Sequence, residues 1–242
     1  MTMFSYDAQI AAAVSLAPQS IADVLGTMRT IDGLCDPGDG LKWFNSLYLQ
    51  VTQAVEDKVN TGGFADPAWL ALLDVEFAKL YFAALQGFLV NGRCSGCWYA
   101  MFSVRSDARI ARIQFALAGV NAHINHDLPA ALIATCEASK ITPQHGTPQY
   151  TDYTNLNATL DGLIETAKKE LNVRLLGDPL PPVSHLEDAI AAWGTSQARE
   201  QAWNHSEALW YLRAVPAIAT GYLRGLDGLT TFGNRILLAP VP

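Results

Sequence analysis

The chain has 242 residues, half of them hydrophobic and only 16% charged. That much apolar surface excludes a largely disordered polymer, and the length suits one hydrophobic core, so a single domain over 1–242 is expected. Sixteen basic against twenty-three acidic residues leave a net charge of -7, with Lys168 and Lys169 as the longest basic cluster, so the footprint of a nucleic-acid binder is missing.

The N-terminal stretch has no basic region, carries Asp7 early and offers only a short apolar run, Ile10 to Ala17, before Pro18. It does not read as a secretory signal. The longest uncharged stretch, Ala8 to Ala22, is interrupted by Pro18 and falls short of the ~18–20 apolar residues that a spanning helix needs. Four cysteines do not make a disulfide framework, and a cytoplasmic location is the expectation.

Apolar spacing near 3.6 dominates and predicts an all-α bundle of about eight to nine helices. The first runs from about Gln19 to Ile31, before the breaker Asp36-Pro37-Gly38-Asp39-Gly40, and the second from about Leu41 to Val59, before Gly62-Gly63. The third begins where Asp66 caps the free amides and Pro67 takes the first helical position, and it continues to about Val90. A short helix follows from Cys97 to Val104 and a long one from Asp107 to His126, with a break expected near Asp127 because of Pro129. A further helix extends through Ala138, and Ile141 to Tyr150 reads as loop. Helices then fit Asp152 to Leu171, His185 to Trp193, Ser196 to Arg213 and about Ala217 to Leu226, with a Pro-rich connector at Gly177 to Pro182.

The Trp69–Val90 and Ile110–Leu128 helices are apolar on nearly every side, which places both in the middle of the bundle. Polar residues on them are therefore the informative ones. Asn121 and Asn125, four apart and in line with Gln114, form a candidate ladder beside the core. His123 and Asp127, also four apart, share another face, where the carboxylate can orient the imidazole or both can bind one metal ion. His126 lies one turn from His123.

Glu207 falls between Trp203 and Trp210 on one helical face, where indole walls would raise a carboxyl pKa, unless it pairs with Arg199 or Arg213. Asp74 and Glu76 sit on the apolar third helix with Tyr81 seven after Asp74, and either meets the His123 cluster if the central helices pack together; pairing with Lys79 is the alternative. Cys94-Ser95-Gly96-Cys97 is a single CxxC, half a zinc site at most, and its cysteines are expected to be reduced packing residues. Dinucleotide, P-loop, GxSxG, HExxH and EF-hand signatures fail, as do the aspartate-rich motifs of terpene synthases.

Ala116-Leu117-Ala118-Gly119-Val120-Asn121-Ala122-His123-Ile124-Asn125, followed by Asp127-Leu128-Pro129, resembles the hallmark of the bacterial domain-of-unknown-function family 5995. Ala134 to Glu137, Asp152-Tyr153 with Asn157, and Ala202-Trp203 with Glu207, Leu209 and Trp210 extend the resemblance from about Asp66 to Arg213. The resemblance implies that Asn121, His123, Asn125 and Asp127 belong to the family pattern, and that His126, His205 and the CxxC do not. No activity comes with it.

From these residues we expect an enzyme of the cyclase, isomerase or lyase type, working without a cofactor on an apolar small molecule between central helices. His123 would be its general acid/base and Asp127 the orienter, with Asn121 and Asn125 as oxyanion donors and Glu207 as a second acid. Phe77, Tyr81, Trp203 and Trp210 would form the walls. One alternative is a metal-dependent hydrolase holding a divalent ion on His123 and Asp127 with Asp74, Glu76 or Glu207. The other is a non-catalytic small-molecule carrier or helical interaction protein.

Overall fold

The computed structural model describes residues 4–175 and 194–240. Helices form throughout, with no strand among the described residues, and several start where the chain supplies a cap or a proline. Helix α1 is Asp7–Ala13. Helix α2 is Ile21–Leu34, where Ser20 accepts from the Asp23 amide. Helix α3 is Gly40–Thr61, capped by Asp39, and α4 is Pro67–Asn91, with Asp66 accepting from the Trp69 amide as its sequence indicates. Helix α4 closes on Gly92 in the left-handed region (φ 66°).

Helices α5 (Gly96–Phe102) and α6 (Arg112–Ala122) lead into a π-helical turn at His123–Asp127, and α7 (Leu128–Ser139) follows. The break expected at Asp127 is thus a widened turn, in which the Leu128 amide donates to the His123 carbonyl. Pro129 explains it. In a regular α-helix its ring would crowd the Asn125 carbonyl and offer it no hydrogen, whereas one wide turn shifts the register past that conflict.

Helices α8 (Pro148–Asn155), α9 (Asn157–Leu175), α10 (Thr195–Leu212) and α11 (Pro216–Leu237) complete the chain. Four expectations need correction. Helix α1 had no predicted counterpart, and the long helix expected from Asp107 starts only at Arg112. The helix placed at Asp152 to Leu171 is two helices, because Pro148 with the Thr147 cap starts one early and the chain turns at Leu156. Helix α11 runs eleven residues past the predicted end at Leu226. The expected connector at 177–182 and the helix at 185–193 lie outside the described residues.

One buried cluster draws from α1 through α10 and the end of α11. Helix α6 runs through its middle, with every residue from Ile113 to Val120 buried. Helix α1 is tied in by charge: Arg105, only 4% exposed, pairs with Asp7 at 2.9 Å and with Asp39, and Asp39 also accepts from the Tyr6 hydroxyl. No helix among the described residues is long and apolar enough to cross a membrane.

Helices α3 and α6 touch closely because Gly119 has no side chain. A Cβ there would fall 2.3 Å from the ring of Phe44, which is itself buried against Tyr81 and Trp98. Gly119→Ala must displace that ring, at a cost of roughly 1–3 kcal/mol. We expect a lower urea midpoint at unchanged slope; a midpoint equal to that of the wild type would show that the two helices are not in such contact.

Candidate functional site

The π turn gathers polar groups around one carboxylate. Asp127, 3% exposed, accepts on Oδ2 from Trp98 Nε1 of α5 at 2.9 Å and from His123 Nδ1 at 2.9 Å, and on Oδ1 from His126 Nδ1 at 2.6 Å. Burial works to raise its pKa, but the bonds from His123 and His126 prevail and hold it below the usual carboxylate value. An ionised carboxylate only accepts, so His123 carries its proton on Nδ1 and its Nε2 lone pair is free. Burial lowers the His123 pKa against the opposing pull of Asp127, which keeps the ring neutral.

The His123 ring is held from both sides. Phe77 of α4 stacks on it at 3.5 Å between centroids and 4° between planes, and Tyr48 of α3 meets it edge-on at 4.6 Å. Its Nε2 is buried and has no hydrogen-bond partner. The ring borders a narrow, mostly apolar cavity whose walls include Phe44, Leu47, Tyr48, Val51 and Phe77.

A second cavity adjoins the first and shares Tyr48, Val51, Phe77, Leu160 and Arg199 with it. Asp74 lines this second space. Its Oδ2 is buried and unpartnered, and desolvation, with a smaller push from Glu56, raises its pKa to about 7. The Tyr48 hydroxyl is likewise buried, with the Thr52 hydroxyl beside it, and burial drives its pKa well up. Arg199 of α10, 6% exposed, donates to the Asn157 side chain at 2.7 Å and the Tyr153 carbonyl at 2.8 Å, and it lies over the Tyr153 ring. Both acceptors are neutral. Among the described residues no carboxylate lies within ion-pair range of this buried cation.

The structure therefore brings His123, Asp127 and Phe77 together and separates the other expected residues from them. Asn121 and Asn125 are committed elsewhere: Asn125 donates to Asn121, and Asn121 donates to Asn234 and the Thr230 carbonyl of α11. They fasten α11 and do not serve as oxyanion donors at the cavities. Glu207 does not line either cavity; it accepts from His145 at 2.7 Å and from Trp203 Nε1 at 3.2 Å. Trp203 is fully buried against Trp69, Tyr150 and Tyr153, and Trp210 lies beneath the Arg213 guanidinium, so neither forms a wall. Tyr81 packs behind the site, 6.2 Å from the His123 ring.

The expected metal set is not assembled either. His123 Nδ1 and Asp127 are bonded to each other, Glu76 binds Lys79 at 2.7 Å, and Asp74 sits at the second cavity. The only group of three or more metal-capable donors among the described residues is Cys97, His126 and Asp227. Sequence reasoning missed Tyr48 and Arg199. The helical spacing of Tyr48 with Phe44 and Thr52 marks the face of α3 that turns inward, but nothing local announces a cavity beside it.

The chain belongs to a family of unknown function (DUF5995), whose model matches residues 21–240. No curated protein and no solved structure matches it.

The raised pKa of Asp74 has a sign that can be measured. The folded state holds this proton more tightly than the unfolded chain, so the wild type loses stability as pH rises from about 4 to about 7, by at most ~4 kcal/mol, and the loss then levels off. Asp74→Asn cannot ionise and should lack that component. Urea midpoints for both proteins at pH 5 and pH 8 decide it; parallel changes would show that Asp74 is not desolvated.

Proposed function

We propose that the protein is an acid/base enzyme that moves a proton on an apolar small molecule bound in the paired cavities, in a cyclase, isomerase or lyase type of reaction. The observation that carries this reading is the unpartnered Nε2 of His123 on a ring that lines an apolar cavity. Asp127 fixes the tautomer that makes Nε2 a base and faces the imidazolium that forms when Nε2 takes a proton. An imidazole so held supplies proton transfer by itself, which is why the reading calls for no cofactor.

The developing negative charge on the substrate would meet the Tyr48 hydroxyl and the Arg199 guanidinium, the polar groups that the two cavities share. Asp74 replaces Glu207 as the second acid, because a carboxyl near its pKa at neutrality can return a proton. Aromatic and aliphatic walls suit a substrate with little charge of its own. They also exclude water, which strengthens each of these interactions.

Proton transfer is readable without knowing the product. A panel of apolar compounds with enolisable carbonyls is incubated with the protein in D2O, and deuterium uptake is followed by mass spectrometry. The wild type should exchange at least one of them, and His123→Gln should slow this by roughly 10²–10⁴-fold at unchanged helical content. Equal exchange by the variant removes the base assignment. Compounds that bind and return without deuterium would instead make the protein a carrier.

A further inference from the structure

We propose that Cys97, His126 and Asp227 bind one zinc-type divalent ion, at a site separate from the cavities around His123. The three residues come from α5, the π turn and α11, and their donor atoms lie within 4.8 Å of one another. Donors about a tetrahedral zinc ion stand ~3.5 Å apart, so a small closure of side chains completes the arrangement. None of the three lines the cavities near His123.

Each ligand is already oriented. His126 gives its Nδ1 proton to Asp127 at 2.6 Å, which leaves Nε2 as the ligand atom and reproduces the carboxylate–histidine support typical of metal-bound imidazoles. Asp227 is held by the amides of Gly96 and Cys97, both at 2.9 Å. That approach needs a glycine: a Cβ on Gly96 would sit 2.6 Å from the Thr231 hydroxyl and 3.1 Å from Asp227 Oδ2. Cys97 is fully buried and forms no disulfide, and its thiol meets the Ser95 hydroxyl at 3.4 Å and the Asp227 carboxylate.

Charge and ligand type both point to the same ion. Asp127 and Asp227 flank His126, and among the described residues neither has a lysine or arginine partner. A divalent cation supplies the missing positive charge. One sulfur, one imidazole nitrogen and one carboxylate suit zinc, and magnesium or calcium would require an oxygen cage. On binding, the thiol proton leaves to solvent and water takes the fourth position. His126 and Asp227 are only partly buried, which leaves the ion a way in from solvent.

The rival arrangement is an imidazolium at His126 bridging the two carboxylates with no ion. Full-length protein, reduced and stripped with a chelator, is titrated with Co(II), which reports a cysteine ligand as a thiolate-to-cobalt charge-transfer band. The proposal expects one cobalt per chain, displacement by Zn(II), and a higher unfolding temperature with zinc than with chelator. Cys97→Ser should lose the band, His126→Gln should weaken binding by roughly ten-fold or more, and Cys94→Ser should keep both. Asp227→Asn also alters the hold on two amides, so the Cys97 and His126 variants carry the decision. Absence of the band, its persistence in Cys97→Ser, or an unfolding temperature indifferent to zinc would overturn the proposal in favour of the imidazolium.

Discussion

A buried carboxylate must be paid for in hydrogen bonds, and Asp127 receives three: from Trp98, His123 and His126. Those bonds join α5 to the π turn and set the direction of both imidazoles. A regular α-helix stacks residues three and four apart but not adjacent ones, so His123 and His126 could not both reach Asp127 with equal ease. The widened turn that Pro129 demands makes this possible. A backbone accommodation to one proline thus places two histidines around one anion, with Nε2 of His123 left at a cavity.

Much of the framework was legible because its causes are local. Asp66 and Pro67 announce the start of α4, and the four-residue spacings of Asn121 with Asn125 and of His123 with Asp127 correspond to actual hydrogen bonds. What the spacing could not provide is the identity of the group across from each face. Glu207 does lie by Trp203, but the partner that claims it is His145, from a loop 62 residues away in sequence. The spacing of Asn121 suggests a substrate contact, whereas Asn234, on turns of α11 beyond the expected end at Leu226, holds it.

Helix α1 was illegible for a related reason. Seven residues carry too little periodicity to stand out, and the helix is secured by Arg105, which sits between helices where no pattern draws attention to it. The sequence offers Arg199 only as a partner for Glu207, a pairing the structure does not form. Only the packing of α8 and α9 against α10 shows it to be buried with neutral acceptors. Cys97 read as a packing residue, and the approach of Asp227 from 130 positions further along is what changes its chemical surroundings.

The distribution of unsatisfied atoms separates scaffold from site. Among the described residues, six buried side-chain atoms lack a hydrogen bond of good geometry: on Asp7, Tyr48, Thr52, Trp69, Asp74 and His123. Asp7 is ion-paired with Arg105, and the Trp69 indole lies by the Cys136 thiol. The other four are together, since Tyr48, Asp74 and His123 line the paired cavities and Thr52 lies one turn beyond Tyr48 on α3. Each such atom costs about 1–3 kcal/mol, and elsewhere in the molecule comparable groups are satisfied in closed pairs. Folding gains nothing from leaving these atoms open. A guest that hydrogen-bonds to them recovers the cost on binding, so the same atoms that weaken the free protein favour an occupied cavity.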